Sequence, residues 1–368
     1  MHRARRVASW IAIAAFAAAA LMASPAGAAT FVYVGNAESN EVYVLQLNQQ
    51  NGDLTVIDRT PIPGIEKPGI STPMSVSPDR RVLYVGTRGE PKIAAGFAID
   101  PTTAKLKHIA NGPLADSLAY IATDRTGRFL LGASYPGHRV TVNPIASPGR
   151  VSPPQQVLEN YPNAHSIVAD AANRFVLVPT LGNDRVNQFA FDAATGKLTP
   201  TTSPAAETRP KAGPRHFVYH PNGKLVYVLG ELDGMVYVFD YNAATGDLKQ
   251  KQVVSALPAE FTGKPSAADL HITANGRFLY GSERTSSTLA GFQIDATAGT
   301  LTPIGSVPTE KQPRGFGIDP SGRYLLAVGQ LSHGLSSYAI DQASGKLTKL
   351  KEYPMGKNPN WVEILDLP

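Results

Sequence analysis

Phe31-Val-Tyr-Val-Gly35 is the first of seven copies of one short β-rich phrase. The others are Leu83-Tyr-Val-Gly86, Phe129-Leu-Leu-Gly132, Phe175-Val-Leu-Val-Pro179, Val226-Tyr-Val-Leu-Gly230, Phe278-Leu-Tyr-Gly281 and Tyr324-Leu-Leu-Ala-Val-Gly329. Their ends lie 46 to 51 residues apart, 49 on average. Such a period belongs to stacked repeats, in which each unit buries its apolar face only against a neighbour. Every unit has the same grammar. A short apolar stretch, such as Met74–Val76 or Phe217–Tyr219, leads into a turn such as His220-Pro221-Asn222-Gly223 or Asp319-Pro320-Ser321-Gly322. The phrase follows, then an alternating strand such as Val236–Tyr241 or Leu335–Ile340. A second turn (Asn51-Gly52-Asp53, Thr195-Gly196-Lys197) opens the last strand. Gly, Asn and Asp at these points supply hairpin backbone geometry.

No segment after the N-terminus sustains a 3.6-residue period, so helices are few. Four strands in each of seven units predict an all-β fold, a seven-bladed β-propeller of four-stranded antiparallel blades. Phe31–Asn36 reads as the second strand of its blade. The missing first strand is predicted from Asn360 to Leu365, so that the N- and C-terminal strands pair and close the ring.

Composition narrows the function classes. Of 368 residues, 43% are hydrophobic and 17% charged, enough for a buried core. The absence of Cys excludes disulfides, thiolate metal sites and Cys nucleophiles. The net charge is +5, of which Arg3, Arg5 and Arg6 contribute three within the first 28 residues. The remaining Lys and Arg are not clustered, which argues against nucleic-acid binding. Residues 1–28 have the layout of a signal peptide: those arginines, an apolar run from Val7 to Ala23, and the small residues Ala26-Gly27-Ala28. Residues 29–368 are then one propeller domain. It is expected to be periplasmic or secreted, monomeric, and without stable membrane insertion after cleavage.

Repeat geometry also locates a site. Let the strands of a blade be A to D, with A lining the channel. The start of A and the end of B then share one mouth. The turn residues before strand B are Arg80, Gly127, Asn173, Gly223, Gly276 and Gly322; eight residues earlier stand Thr72, Ala119, His165, Arg215, Ala268 and Arg314. After strand B come Asn36, Thr87, Ala133, Thr180, Glu231, Ser282 and Gln330, with Arg284 two residues further on in its loop. His165, Arg215, Glu231, Arg284, Arg314 and Gln330 are therefore expected at one mouth. His271, in mid-strand A, faces either the channel or the next blade, and His333 follows Gln330 at the same mouth. Further carboxylates there are limited to Asp269 or Glu283, so metal-free and cofactor-free chemistry is expected. Three arginines near one carboxylate suit an anionic ligand, because guanidinium matches carboxylate and phosphate oxygens in bidentate fashion.

The phrases Gly213-Pro214-Arg215-His216 with Gly230-Glu231-Leu232, Ala268-Asp269-Leu270-His271-Ile272 with Glu283-Arg284-Thr285, and Gln312-Pro313-Arg314-Gly315-Phe316 with Gly329-Gln330-Leu331-Ser332-His333 resemble the propeller-type 6-phosphogluconolactonase family, related to the fungal carboxy-muconate lactonizing enzymes. The resemblance runs over about residues 30–366. It implies a seven-bladed propeller that opens a sugar-type lactone without a metal, with His165, Arg215, Glu231 and Arg284 as its catalytic residues. Arg314, Gln330, His271 and His333 are then expected to bind substrate, a small anionic lactone. Either Glu231 or His165 is the base. The same scaffold also supports a muconate-type cycloisomerase, and a non-enzymatic propeller binding a protein or glycan is the remaining alternative.

Overall fold

The computed structural model describes residues 28–368; the expected signal peptide at residues 1–28 falls, but for its last residue, outside the described part. The chain forms seven antiparallel sheets, six of them four-stranded. Blades 2 to 7 run from strand A outward to strand D in chain order. Their A strands are Met74–Val76, Leu118–Thr123, Val168–Ala169, Pro214–Tyr219, Ala267–Ile272 and Pro313–Ile318. Blade 1 takes strand A from the C-terminus: Pro359–Leu367 pairs antiparallel with Ala29–Asn36, Val34 opposite Val362. This is the predicted closure. Among the described residues the only helical segment is a 3-10 turn at Leu181–Asn183, and no helix is long and apolar enough to cross a membrane.

Seven apolar clusters hold the ring together, one between each pair of adjacent blades. This explains the composition of the recurring phrase. Strand B lies inside its blade with both faces covered, so Leu225–Gly230 and Tyr324–Gly329 are buried throughout. The outermost strand has one face in solvent, and Leu347–Pro354 is mostly exposed. The turn residues before strand B (Arg80, Gly127, Asn173, Gly223, Gly276, Gly322) all have φ between 56° and 71°. Gly, and next to it Asn, takes that conformation at least cost, hence their recurrence there.

Two blades depart from the expected regularity. In blade 3 strand D is split into Arg150–Val151 and Gln156–Glu159. Pro153 and Pro154 lie in the gap and have no N–H for a ladder. In blade 4 strand A is reduced to Val168–Ala169. His165 N–H donates to the Pro179 carbonyl at 3.1 Å, but Pro179 has no N–H to return.

Candidate active site

The residues eight before the αL turn occupy a special backbone position. In strand A of blades 3, 5 and 7 the ladder breaks between Leu118 and Tyr120, Pro214 and His216, and Pro313 and Gly315. Ala119, Arg215 and Arg314 are the extra residues of these β-bulges. In blade 6 the break takes in Ala268 and Asp269, and in blade 1 Asn360. A bulge re-aims a side chain relative to a regular strand. Here it falls at the start of strand A and directs Arg215 and Arg314 to one mouth, the end where Glu231, Arg284 and Arg88 leave strand B.

Glu231 is the electrostatic centre of this mouth. Its Oε2 lies 2.8 Å from Arg215 Nε and its Oε1 3.0 Å from Arg284 Nη2. Burial alone would raise its carboxyl, but Arg215, Arg284 and Arg314 overcome that and hold it below the usual carboxylate range. Glu231 is therefore an ionised brace and a poor proton acceptor. Arg215 is buried, 1% exposed, and its Nη1 also donates to the Ala268 carbonyl. It gives the mouth its charge, while its N–H groups stay inside. Arg284 Nε donates to Ser266 O at 2.9 Å.

Arg314 and Arg88 are different. Among the described residues neither has an acidic partner within 4.0 Å, and Arg314 has no hydrogen bond to protein. Arg88 donates only to Ser117 Oγ, at 3.2 Å. Burial, and then Arg215, Arg284 and Arg88, disfavour the charged form of Arg314. Since a guanidinium stays protonated in proteins, this is a standing repulsion that a bound anion would relieve.

His165 is buried beside these charges, edge-on to Tyr135 at 5.6 Å and to His216 at 5.2 Å between ring centres. Burial first, then Arg215, His216, Arg314 and Arg88, hold its imidazole well below the ordinary value. It is neutral at physiological pH, and its Nδ1 is buried without a partner.

Beneath the mouth, one residue further along strand A, Tyr120, His216, Asp269 and Trp361 fill the channel from four blades. His216 Nδ1 is 2.7 Å from Asp269 Oδ1, and His271 Nε2 is 3.1 Å from Asp269 Oδ2. Asp269 also accepts the N–H groups of Leu270 and Phe316. Burial opposes its ionisation, but His271 and His216 hold its carboxyl well below the usual range. Deeper still, burial pushes Glu363 up to about 7 while Trp361 Nε1 donates to it at 2.8 Å.

Set against the sequence expectations, His165, Arg215, Glu231, Arg284 and Arg314 come together. His271 lies below the mouth, bound to Asp269 and packed edge-on against Phe316 of the next blade, 4.7 Å between ring centres. Gln330 donates to Asn358 Oδ1 at 2.8 Å, a loop-to-loop bond. His333 is exposed, with φ 53°, and its Nδ1 accepts the Asn358 N–H, which gives it a turn-capping role. Glu283 is likewise removed from the mouth, since its carboxylate is consumed by the N–H groups of Ser266, Thr285 and Ser286. Arg88 and His216 are the additions, and Asp269, expected only as a possible further carboxylate of the mouth, joins His216 beneath it. The signal for His216 and Asp269 was an alignment one residue further on, where His, Asp, Tyr and Trp stand in place of the apolar residues of an ordinary strand. Among the described residues no group of three or more His, Asp or Glu is placed to hold a metal ion.

Residues 31–364 match the family model described as "Lactonase, 7-bladed beta-propeller". The chain is 43% identical over 290 residues to a 6-phosphogluconolactonase of Serratia proteamaculans, covering 79% of this chain and 85% of that one. It is 41% identical over 288 residues to that of Pectobacterium carotovorum, covering 78% and 84%. Among solved structures, a putative 6-phosphogluconolactonase of Bacteroides fragilis superposes with a TM-score of 0.84 at 25% identity, covering 93% of this chain and 99% of that one. A periplasmic gluconolactonase of Pseudomonas aeruginosa gives 0.83 at 27% identity, covering 92% and 100%. With the bulged arginines, the braced Glu231 and the closed ring of seven blades, these likenesses place the chain in the seven-bladed β-propeller lactonase family.

Proposed function

We propose that this protein is an exported, metal-independent lactonase that hydrolyses a small anionic lactone of the 6-phosphogluconolactone type to the open hydroxy acid. The observation that carries this is the mouth itself: a neutral imidazole, a carboxylate braced by two arginines, and two further guanidiniums without acidic partners. Ester hydrolysis needs a base for water, donors for the oxyanion and a proton for the leaving alkoxide. Of the two candidate bases, His165 fits. It is neutral, whereas Glu231 is stabilised as the anion by Arg215 and Arg284. His165 takes the proton of the attacking water, and the imidazolium so formed returns it to the ring oxygen as the lactone C–O bond breaks. Arg284, held by Glu231 and Ser266 O, stabilises the oxyanion on this reading. Arg88 and Arg314 suit the substrate's phosphate or carboxylate group.

Export rests on the leader at residues 1–28 and agrees with the periplasmic setting of the Pseudomonas relative. The test is acid release by purified residues 29–368, followed at constant pH with lactones in chelator-treated buffer. Turnover that survives chelation and is lost in His165→Asn is expected. No acid release from any lactone, with a muconate consumed instead, would replace hydrolysis by cycloisomerisation.

A further inference from the structure

Two buried ring nitrogens at this site have no partner: His165 Nδ1 and His216 Nε2. Buried polar atoms left open in a native fold call for a reason. The two rings are neighbours, 5.2 Å between centres at an interplanar angle of 63°. That separation allows a nitrogen of one ring to approach a nitrogen of the other to roughly 3 Å, hydrogen-bonding distance. The next contact down the channel is already made, from His216 Nδ1 to Asp269 Oδ1 at 2.7 Å.

Asp269 fixes the direction of this chain. It is an acceptor only, and four groups converge on it: His216 and His271 by ring nitrogens, Leu270 and Phe316 by backbone N–H. His216 therefore carries its proton on Nδ1, which leaves a bare lone pair on Nε2. The only hydrogen-bonding group in the adjoining ring that is buried and unsatisfied is His165 Nδ1. The two nitrogens are not hydrogen-bonded to each other as the rings stand; a proton on His165 Nδ1 together with a small turn of either ring would satisfy both orphan atoms at once.

We infer that His165, His216 and Asp269 form a three-membered relay, in which His216 and Asp269 are positioning residues that hold His165 as the Nδ1–H tautomer and present its Nε2 lone pair to the mouth. The inference rests on the lactonase reading for what that lone pair does. In hydrolysis, Nε2 takes one proton from water, the water oxygen bonds the lactone carbonyl carbon, and the same proton passes to the ring oxygen when its bond to that carbon breaks. While His165 is an imidazolium, its Nδ1–H donates to His216 Nε2, and His216 Nδ1–H donates to Asp269. The carboxylate thus offsets a cation that would otherwise face Arg88, Arg215 and Arg314. In free hydrogen-bonding sites of this kind the bonds are often poorly aligned until substrate closes the site. The other ionisable groups facing the relay are Tyr135 beside His165, Tyr120 beside His216, and His271 with Glu363 beyond Asp269.

The tautomers are directly readable without substrate, by nitrogen-15 NMR of the histidine rings in the full mature chain. His165 is expected as Nδ1–H with a bare Nε2, and Asp269→Asn is expected to shift that balance toward Nε2–H. Kinetically, Asp269→Asn and His216→Gln should each lower kcat by about 100-fold or more with KM changed by no more than a few-fold. In a His165→Asn background the same substitutions should cost roughly 2-fold or less, because members of one relay are not additive. Melting curves separate these effects from loss of fold, and His216→Gln stands in if Asp269→Asn is unstable. A His165 ring protonated at Nε2 in the unmodified protein overturns the relay. So do equal losses from Asp269→Asn or His216→Gln with and without His165. If no lactone is turned over, the lactonase reading fails, and the NMR result still decides the relay.

Discussion

The two mouths of the propeller both carry arginines at repeated positions, yet treat them in opposite ways. At the mouth of the A–B and C–D turns, Arg174, Arg277 and Arg323 stack on Phe175, Phe278 and Tyr324 at 5.2 to 5.8 Å. Each also reaches the following blade: Arg277 to Gln342 O at 2.9 Å, Arg323 to Gln49 Oε1 at 2.7 Å, and Arg174 to Ala243 O. Arg128 does the same with Phe129 and Ala193 O. These guanidiniums clasp neighbouring blades and their charge is solvated. At the opposite mouth Arg88 and Arg314 are half-buried and form no ion pair; Arg88 has one bond to Ser117 Oγ of the next blade, and Arg314, set among other cations, has none. The same side chain clasps blades at one end and, on the proposed reading, holds a ligand at the other. Backbone makes the difference: regular αL turns at the far mouth, bulges and long loops at the near one.

The largest expected effect comes from breaking both mouths together. The C-terminal strand supplies Trp361 to the near mouth, and at the far mouth the Asp366 carbonyl accepts from Arg80 at 3.0 Å. Deleting residues 359–368 should leave no folded monomer by gel filtration and circular dichroism, because blade 1 loses its inner strand. Next is His165→Asn, with kcat down roughly 100-fold to 10,000-fold and melting nearly unchanged. The pH profile carries a sign. A base whose pKa is held below the ordinary imidazole value stays competent as pH falls through 6.5, so the acid limb of kcat should appear only below that point. An acid limb at or above 6.5 would remove His165 as the base.

Two matched substitutions sharpen the comparison itself. Arg314→Met should raise KM for an anionic lactone about 10-fold to 100-fold. It should leave the melting temperature in phosphate-free buffer equal or higher, since a like charge is removed from a buried cluster. Arg277→Met should do the reverse: kinetics unchanged, and stability lower by about 1 kcal/mol as one stacked, hydrogen-bonded clasp is lost.

Much of this was legible in the chain. The 49-residue period and the αL turn column set the blade count and the register, and they brought His165, Arg215 and Arg314 to one mouth because the aligned column marks the start of strand A, where Arg215 and Arg314 are bulged and His165 precedes a shortened strand. The pairing of His216 with Asp269, itself named as a possible carboxylate, was not legible from that column. His216 and Asp269 sit one residue on, and with a bulge in between, strict alternation does not tell which side chains face the channel. Arg88 stands one residue beyond Thr87, the position used for its blade. His333 and Gln330 stand in the expected loop, where both bond Asn358, a partner not visible in the sequence. The split outer strand of blade 3 followed from Pro153 and Pro154, whose effect depends on which face of the sheet each N–H would meet.

The most direct test of the central claim is the ratio of kcat/KM for 6-phosphogluconolactone over gluconolactone, measured at low and at high salt. If the unpartnered arginines of the near mouth exist to hold an anion, the ratio should exceed about 10 at low ionic strength, fall as salt screens the guanidiniums, and collapse toward one in Arg314→Met. A ratio near one in the unmodified enzyme, insensitive to salt, would contradict that account and leave Arg88 and Arg314 without a ligand.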